Sequence, residues 1–298
     1  MTHVATLIAA GPGGLDDALV ARAQAALPNA AAPRWLSRYE AADLPFSPDS
    51  GIDQRTLAAR LRAALGAPVD VVVQPVAHRR KKLFLADMDS TMIGQECIDE
   101  LADYVGLKAH VATITERAMR GEIAFEPALR ERVALLGGLK VSVIEEVLRD
   151  RIKLTPGARA LVGTMRKSGA HTALVSGGFT LFTDRVAAMI GFDENRANSL
   201  TLIDGHTLAG TVAEPIFGRD AKRAALLELR QEFGLAREET MAVGDGANDL
   251  DMITDAGLGV AYHAKPKVAE AAAARIDHAD LSALLYVQGY ARDEFVEK

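Results

Sequence analysis

Leu83-Phe84-Leu85-Ala86-Asp87-Met88-Asp89-Ser90-Thr91 is the stretch that decides the fold. Four apolar residues in a row suit a strand buried on both faces, as in a parallel sheet. Such a run ordinarily passes into small or turn-forming residues. Here it ends on two carboxylates at i and i+2, which are costly to bury unless a cation or a proton-transfer partner meets them. The stretch therefore predicts a buried strand with chemistry at its carboxyl end.

Downstream, strand–turn–helix units repeat. Thr172–Val175 reads as a strand, followed by Ser176-Gly177-Gly178 and a helix near Leu181–Ile190. Thr240–Val243 reads as a third strand, followed by Gly244-Asp245-Gly246-Ala247-Asn248-Asp249 and a helix near Leu250–Ala256. Leu258–Val260 is a fourth, short strand. This alternation predicts an α/β fold, a Rossmann-like parallel sheet with helices on both faces. In such sheets the ligand crevice lies beyond the carboxyl ends of the strands, so the polar clusters should converge there. About eighty residues separate the first two strands, too many for a simple crossover. Ile98, Leu101, Ala102 and Val105 share one helical face, and Phe125, Leu129 and Leu136 another. They predict a helical cap inserted over residues 94–155, with Gly94 and Gly121 as candidate flexible points. Asp204-Gly205, between Ser199–Ile203 and His206–Val212, signals a hairpin.

Upstream, residues 1–76 read as a separate small α/β unit, and residues 77–298 as the larger domain. Val4–Ala9, Arg34–Tyr39 and Val69–Val73 are strand candidates; Leu15–Leu27 and Gln54–Leu65 are helix candidates. The basic run Val76–Lys82 lacks interleaved aromatics and reads as a solvated linker. The strand–helix–strand, helix–strand order of residues 1–76 resembles the amino-acid-binding regulatory domains called ACT. That fold has two strands between its helices, and Ala41–Gly51 holds either the second strand or a loop. The resemblance implies L-serine as a regulator; a dimerisation or packing role is the alternative.

Composition limits the function classes. Of 298 residues, 49% are hydrophobic and 25% charged, which is ordinary for a globular protein. A net charge of −6 argues against sequence-nonspecific nucleic-acid binding, which needs a basic footprint. The single cysteine, Cys97, excludes an internal disulfide and a Cys-based zinc site, and fits a cytoplasmic location. No basic segment precedes the short apolar N-terminal stretch, so a strand is expected there rather than a signal peptide. No apolar run is long enough to span a membrane.

Asp87/Asp89/Thr91, Ser176-Gly177-Gly178, Lys222 and Asp245/Asn248/Asp249 follow one another in that order. Four carboxylates cannot share a pocket ionised without a cation. Oxygen ligands together with phosphate point to Mg²⁺. Two acids permit covalent phosphoryl transfer, one as nucleophile and one moving the proton. A serine and two glycines can offer hydroxyl and backbone N–H groups to phosphate oxygens, and a lysine adds point charge. The set resembles the haloacid dehalogenase-like phosphohydrolases. The resemblance implies Asp87 as a nucleophile forming an aspartyl-phosphate and Asp89 as general acid/base. It implies metal contacts from Asp87, Asp245 and the main-chain carbonyl of Asp89, with Asp249 supporting them from behind. Ser176, Gly177 and Lys222 would bind phosphate.

On a helical wheel Leu129, Leu136 and Arg132 all fall within about 40° of Phe125. An arginine inside that apolar face needs an anion or a polar exit. It is a snorkelling or internally paired side chain, or it binds a substrate carboxylate through its guanidinium fork. Asp-Met-Asp-Ser-Thr, Glu96 seven residues after Asp89, and Phe125–Leu136 together resemble the phosphoserine phosphatase family. The resemblance implies that Glu96 holds the ammonium of O-phospho-L-serine, Arg132 its carboxylate and Phe125 its side, while Asn248 positions phosphate and water. The alternatives are another small phosphomonoester such as phosphothreonine or phosphohomoserine, transfer to an acceptor alcohol, or a non-catalytic amino-acid sensor.

Overall fold

A computed structural model of the chain describes residues 1–48 and 53–296. The first sheet is built from β1 (His3–Ala9), β2 (Arg34–Ser37), β3 (Ala41–Phe46) and β4 (Val69–Pro75), with helices α1 (Asp17–Ala25) and α2 (Gln54–Leu65). Its order is β2-β3-β1-β4, with all pairings antiparallel. Ala41–Phe46 is thus a strand, and the order along the chain is strand–helix–strand–strand–helix–strand. The rest of the Ala41–Gly51 stretch, from residue 49, lies outside the described residues. Leu7, Leu44, Leu61 and Val71 form the core of this unit.

The second sheet holds β5 (Leu83–Ala86), β6 (His171–Phe179), β7 (Glu194–Asn198), β10 (Thr240–Gly244), β11 (Leu258–Tyr262) and β12 (Ala274–Ile276). Its order is β12-β11-β10-β5-β6-β7 and every pair is parallel. The alternation within β5 explains the layers. Leu83 and Leu85 pack with Leu226 and Leu229 of α9 (Arg219–Glu232) and Met252 of α10 (Leu250–Asp255). Phe84 and Ala86 face the other core, with Leu161 of α7 (Ala158–Lys167) and Phe182 of α8 (Thr180–Ile190). Strand order runs outward from β5 through β6 to β7, then returns to β10 on the opposite side of β5. That reversal opens a crevice at the carboxyl ends of β5 and β10.

Four helices, α3 (Cys97–Asp103), α4 (Lys108–Met119), α5 (Phe125–Ala134) and α6 (Ser142–Asp150), lie between β5 and α7. Their two connections to the sheet pair with each other: Ile93 bridges Leu154, and Gly94 N donates to the Lys153 carbonyl at 3.1 Å. A hairpin of β8 (Leu200–Ile203) and β9 (Thr207–Val212) turns at Asp204 and Gly205, both at positive φ. It joins the helical layer through Leu208 N to the Leu139 carbonyl (2.8 Å) and Gly138 N to the Leu208 carbonyl (2.9 Å).

The basic run Val76–Lys82 is exposed over most of its length, as expected of a solvated linker, but two of its charges are docked. Arg79 forms a two-pronged bond to Asp43 (2.6 Å from both terminal nitrogens) and also donates to the Tyr286 and Val287 carbonyls. Lys81 is buried, with Nζ 2.7 Å from the Glu238 carbonyl. Asp70 accepts from the backbone N–H groups of Asp277, His278 and Ala279. Arg79 and Asp70 fasten the first sheet to the second: Arg79 joins Asp43 to two carbonyls near the C-terminus, and Asp70 satisfies three backbone N–H groups.

Candidate active site

β5, β6 and β10 deliver their polar residues to one place. Asp87 follows β5, and its side chain accepts from Met88 N at 2.8 Å. The next residues make a tight turn in which Ser90 takes a left-handed conformation (φ 55°), so Asp89 is carried round to face β6. Asp89 accepts from Cys97 N at 2.8 Å and from the Ser176 hydroxyl at 3.3 Å. Ser176 Oγ in turn accepts from Gly178 N at 2.9 Å. The Ser-Gly-Gly segment does not itself open a helix: β6 continues to Phe179 and α8 starts at Thr180. Asn198 holds this segment from behind, donating to the carbonyls of Gly177 (2.9 Å) and Phe217 (3.0 Å).

Lys222 is fully buried on α9. Its Nζ reaches Asp87 Oδ1 at 2.5 Å and Asp249 Oδ1 at 2.7 Å. Burial alone would lower the lysine pKa, but Asp249 and Asp87 more than offset it and raise it. Asp249 also accepts from Gly246 N at 3.1 Å. A side chain at residue 244 would run into Asp249, which explains the glycine there. Asp245 accepts from the Thr91 hydroxyl at 3.2 Å. Asp87, Asp245 and Asp249 each bring a carboxylate oxygen within 4.8 Å of the others. Burial, then the Asp249 charge, pushes Asp87 well above the usual carboxylate range and Asp245 up to about 7. Burial also raises Asp89. Buried, mutually repelling oxygen donors served by one lysine fit a hard cation in their midst.

The cap supplies the opposite wall. Glu96, Phe125, Leu129 and Arg132 line one small pocket together with Asp87, Asp89, Gly177 and Asn248. The Phe125 ring lies against Gly177, where a Cβ would sit 2.7 Å from Cζ, so only glycine fits under it. Met119 of α4 covers Gly246 in the same way, so the cap is seated on the sheet. Ion pairs Lys265–Glu116 (2.8 Å) and Arg130–Glu214 (2.7 Å) join cap helices to the β11–α11 and β9–α9 loops, α11 being Pro266–Ala271. Glu96 accepts from the Ser90 hydroxyl at 2.6 Å. Burial and the Asp89 and Asp245 charges raise its pKa well above the normal range. Arg132 is 4% exposed. Asn248 Oδ1 is buried with no partner among the described residues, a polar atom open to a ligand.

All ten of the residues singled out in the sequence for catalysis, metal or substrate lie around this one crevice, with Asp249 behind Lys222. Sequence reasoning passed over Asn198, Met119, Thr115 and Asp99. Asn198 ends a polar edge strand and Met119 resembles any buried methionine, so neither carries a local signal.

Comparison with known proteins places this geometry. The model of the haloacid dehalogenase-like hydrolases matches residues 84–254. A phosphoserine phosphatase from Polaromonas sp. (strain JS666) is 46% identical over 224 residues, covering 74% of this chain and 95% of the relative. One from Streptomyces coelicolor is 42% identical over 262 residues, 87% of this chain; the match spans 63% of the relative's length. A HAD family hydrolase from Salmonella enterica serovar Typhi superposes over 98% of this chain and 99% of its own, with TM-score 0.84 and 27% identity. A phosphoserine phosphatase solved as a phospho-aspartyl intermediate analogue has TM-score 0.66 and 39% identity over 70% of this chain and 98% of its own. A substrate-bound phosphoserine phosphatase has TM-score 0.66 and 38% identity, over 69% and 97%. This chain belongs to the haloacid dehalogenase-like hydrolase family.

Proposed function

We propose that the chain hydrolyses O-phospho-L-serine to L-serine and phosphate through a phosphorylated Asp87. The observation that carries the reading is a single pocket with two different ends. At one end a lysine-held carboxylate, Asp87, sits beside a second acid, Asp89, and the Ser-Gly-Gly segment. At the other, the cap presents a carboxyl group, Glu96, which a substrate ammonium would hold ionised, and a cation, Arg132. An α-amino acid carries one cation and one anion, and this pair complements both. The curated relatives support the reading, being named phosphoserine phosphatases.

Asp87 attacks phosphorus, and the bond to the serine oxygen breaks. Asp89 gives its proton to the departing alkoxide; burial favours the protonated form this step needs. Asp89 then takes a proton from water as it attacks the aspartyl-phosphate, freeing phosphate and Asp87. Lys222 and the Ser176 hydroxyl lie where charge on the transferring group is stabilised. Phe125 and the cap helices keep bulk water out. Asp87, Asp245 and the Asp89 carbonyl would hold Mg²⁺, with Asp249 behind them on Lys222. Bound there, the ion supplies charge neutralisation at the phosphoryl oxygens.

Phosphate release tests this. Release from O-phospho-L-serine should require Mg²⁺, cease with EDTA and return with added Mg²⁺. It should exceed release from phosphothreonine and sugar phosphates. Release from those but not from phosphoserine would discard the roles of Glu96 and Arg132.

The N-terminal sheet is the candidate seat for L-serine regulation or for a homodimer contact. Calorimetric heat from L-serine added to the Arg132→Ala chain would reveal a serine site outside the pocket; no heat would remove the regulatory version.

A further inference from the structure

Arg132 is buried and, among the described residues, has no direct carboxylate partner. Its Nε donates to the Ala128 carbonyl at 3.0 Å, and one terminal nitrogen donates to the Thr115 hydroxyl at 2.9 Å. A guanidinium has five N–H donors, so these two bonds leave the rest of the fork for the pocket that Arg132 lines. The acid comes one step further on: Thr115 Oγ1 lies 2.7 Å from Asp99 Oδ1.

The direction of this chain of bonds follows from donor chemistry. A carboxylate only accepts, a guanidinium only donates, and a threonine hydroxyl has one proton and two lone pairs. Thr115 Oγ1 also lies 3.1 Å from the Val111 carbonyl, but the charged acceptor is nearer, so the proton points to Asp99. The hydroxyl then turns a lone pair to Arg132. Burial lowers the Arg132 pKa, and the Glu96 and Asp99 charges oppose that, so the guanidinium stays charged. Asp99, Thr115 and Arg132 come from α3, α4 and α5, so one relay ties three cap helices together.

We propose that Thr115 and Asp99 are positioning residues that aim Arg132 at the carboxylate of the substrate and thereby set specificity for phosphorylated α-amino acids. The inference rests on Arg132 as the carboxylate binder in the proposed function. A direct Asp99–Arg132 ion pair would occupy the fork that the substrate needs. The interposed hydroxyl fixes the guanidinium plane, draws on the Asp99 charge, and leaves the fork open. Thr115→Val keeps the shape and removes the relay.

The test uses the full chain with Mg²⁺ and two substrates. O-phospho-L-serine has the carboxylate; O-phosphoethanolamine has the same phosphate and ammonium but lacks it. Thr115→Val should lower kcat/KM for phosphoserine by about tenfold or more, chiefly through KM, as expected for a lost bond to a charged group. Phosphoethanolamine turnover should change no more than about twofold, within the range of an untouched interaction. Thr115→Ser should restore phosphoserine turnover, and Asp99→Asn should shift the same ratio in the same direction. Arg132→Ala should abolish the preference for phosphoserine. Equal losses on both substrates in Thr115→Val, or no recovery in Thr115→Ser, while Arg132→Ala abolishes the preference for phosphoserine, would overturn the relay and leave the role of Arg132 standing. Equal losses on both substrates in Arg132→Ala would overturn that role and the relay with it. Should Thr115→Val fail to fold, Asp99→Asn and Thr115→Ser carry the comparison.

Discussion

Asp87→Asn is expected to lower phosphoserine turnover by on the order of 10⁴–10⁶-fold, the range seen when a covalent nucleophile is removed from an intact site. An amide cannot form the acyl-phosphate, yet it keeps the shape of the carboxylate and can accept from Met88 N. Lys222 keeps its second partner, Asp249, at 2.7 Å. The loss should therefore appear in kcat with the protein still folded, which thermal melting beside steady-state kinetics would check. A variant retaining a tenth of wild-type turnover would contradict a covalent role for Asp87.

Lys222→Met has the second large effect, and it falls on stability as well as turnover. The lysine is fully buried between Asp87 and Asp249, and burial and the Asp249 charge already disfavour the ionised form of Asp87. Removing one partner from a buried charged set leaves the others uncompensated, a loss of about 3–5 kcal/mol. Methionine fills the space of the lysine stem, so the deficit reports charge rather than a cavity. Urea unfolding of the metal-free protein should show it, and phosphate release should fall below detection. Unchanged stability would mean that the Asp87–Lys222–Asp249 contacts do not hold the site.

Much of this arrangement is legible in the sequence because chemistry and local pattern coincide there. Leu83–Ala86 is apolar on both faces, so it reads as a central parallel strand, and the acids after it have no structural reason to be present. Asp204-Gly205 reads as a turn because both residues must adopt positive φ, as they do. Other elements carry no such signal. Glu194–Asn198 is an edge strand of polar residues, held by pairing to β6 alone. Ala41–Phe46 contains Asp43 and Pro45, both poor strand formers. Asp43 is tolerated because Arg79 and Thr6 bond it. Pro45 is tolerated because β2 pairs only residues 41–43, so its missing N–H falls beyond that ladder. Both reasons are tertiary. The basic run Val76–Lys82 is exposed over most of its length, and the exceptions have the same cause: Arg79 and Lys81 find acceptors far away in sequence. At the site, Arg132 stands out on the helical wheel, but Thr115 and Asp99 gain their meaning only when α3, α4 and α5 meet.

The central claim is that Asp87 is phosphorylated during turnover. Acid quench during phosphoserine hydrolysis, borohydride reduction and peptide mass spectrometry would test it most directly, because reduction of an aspartyl-phosphate leaves homoserine at that position. Homoserine at residue 87 in the wild-type chain, and none when substrate is omitted, is the predicted result. Full phosphatase turnover with Asp87 unmodified at every quench time, or with the modification on Asp89 instead, would contradict it.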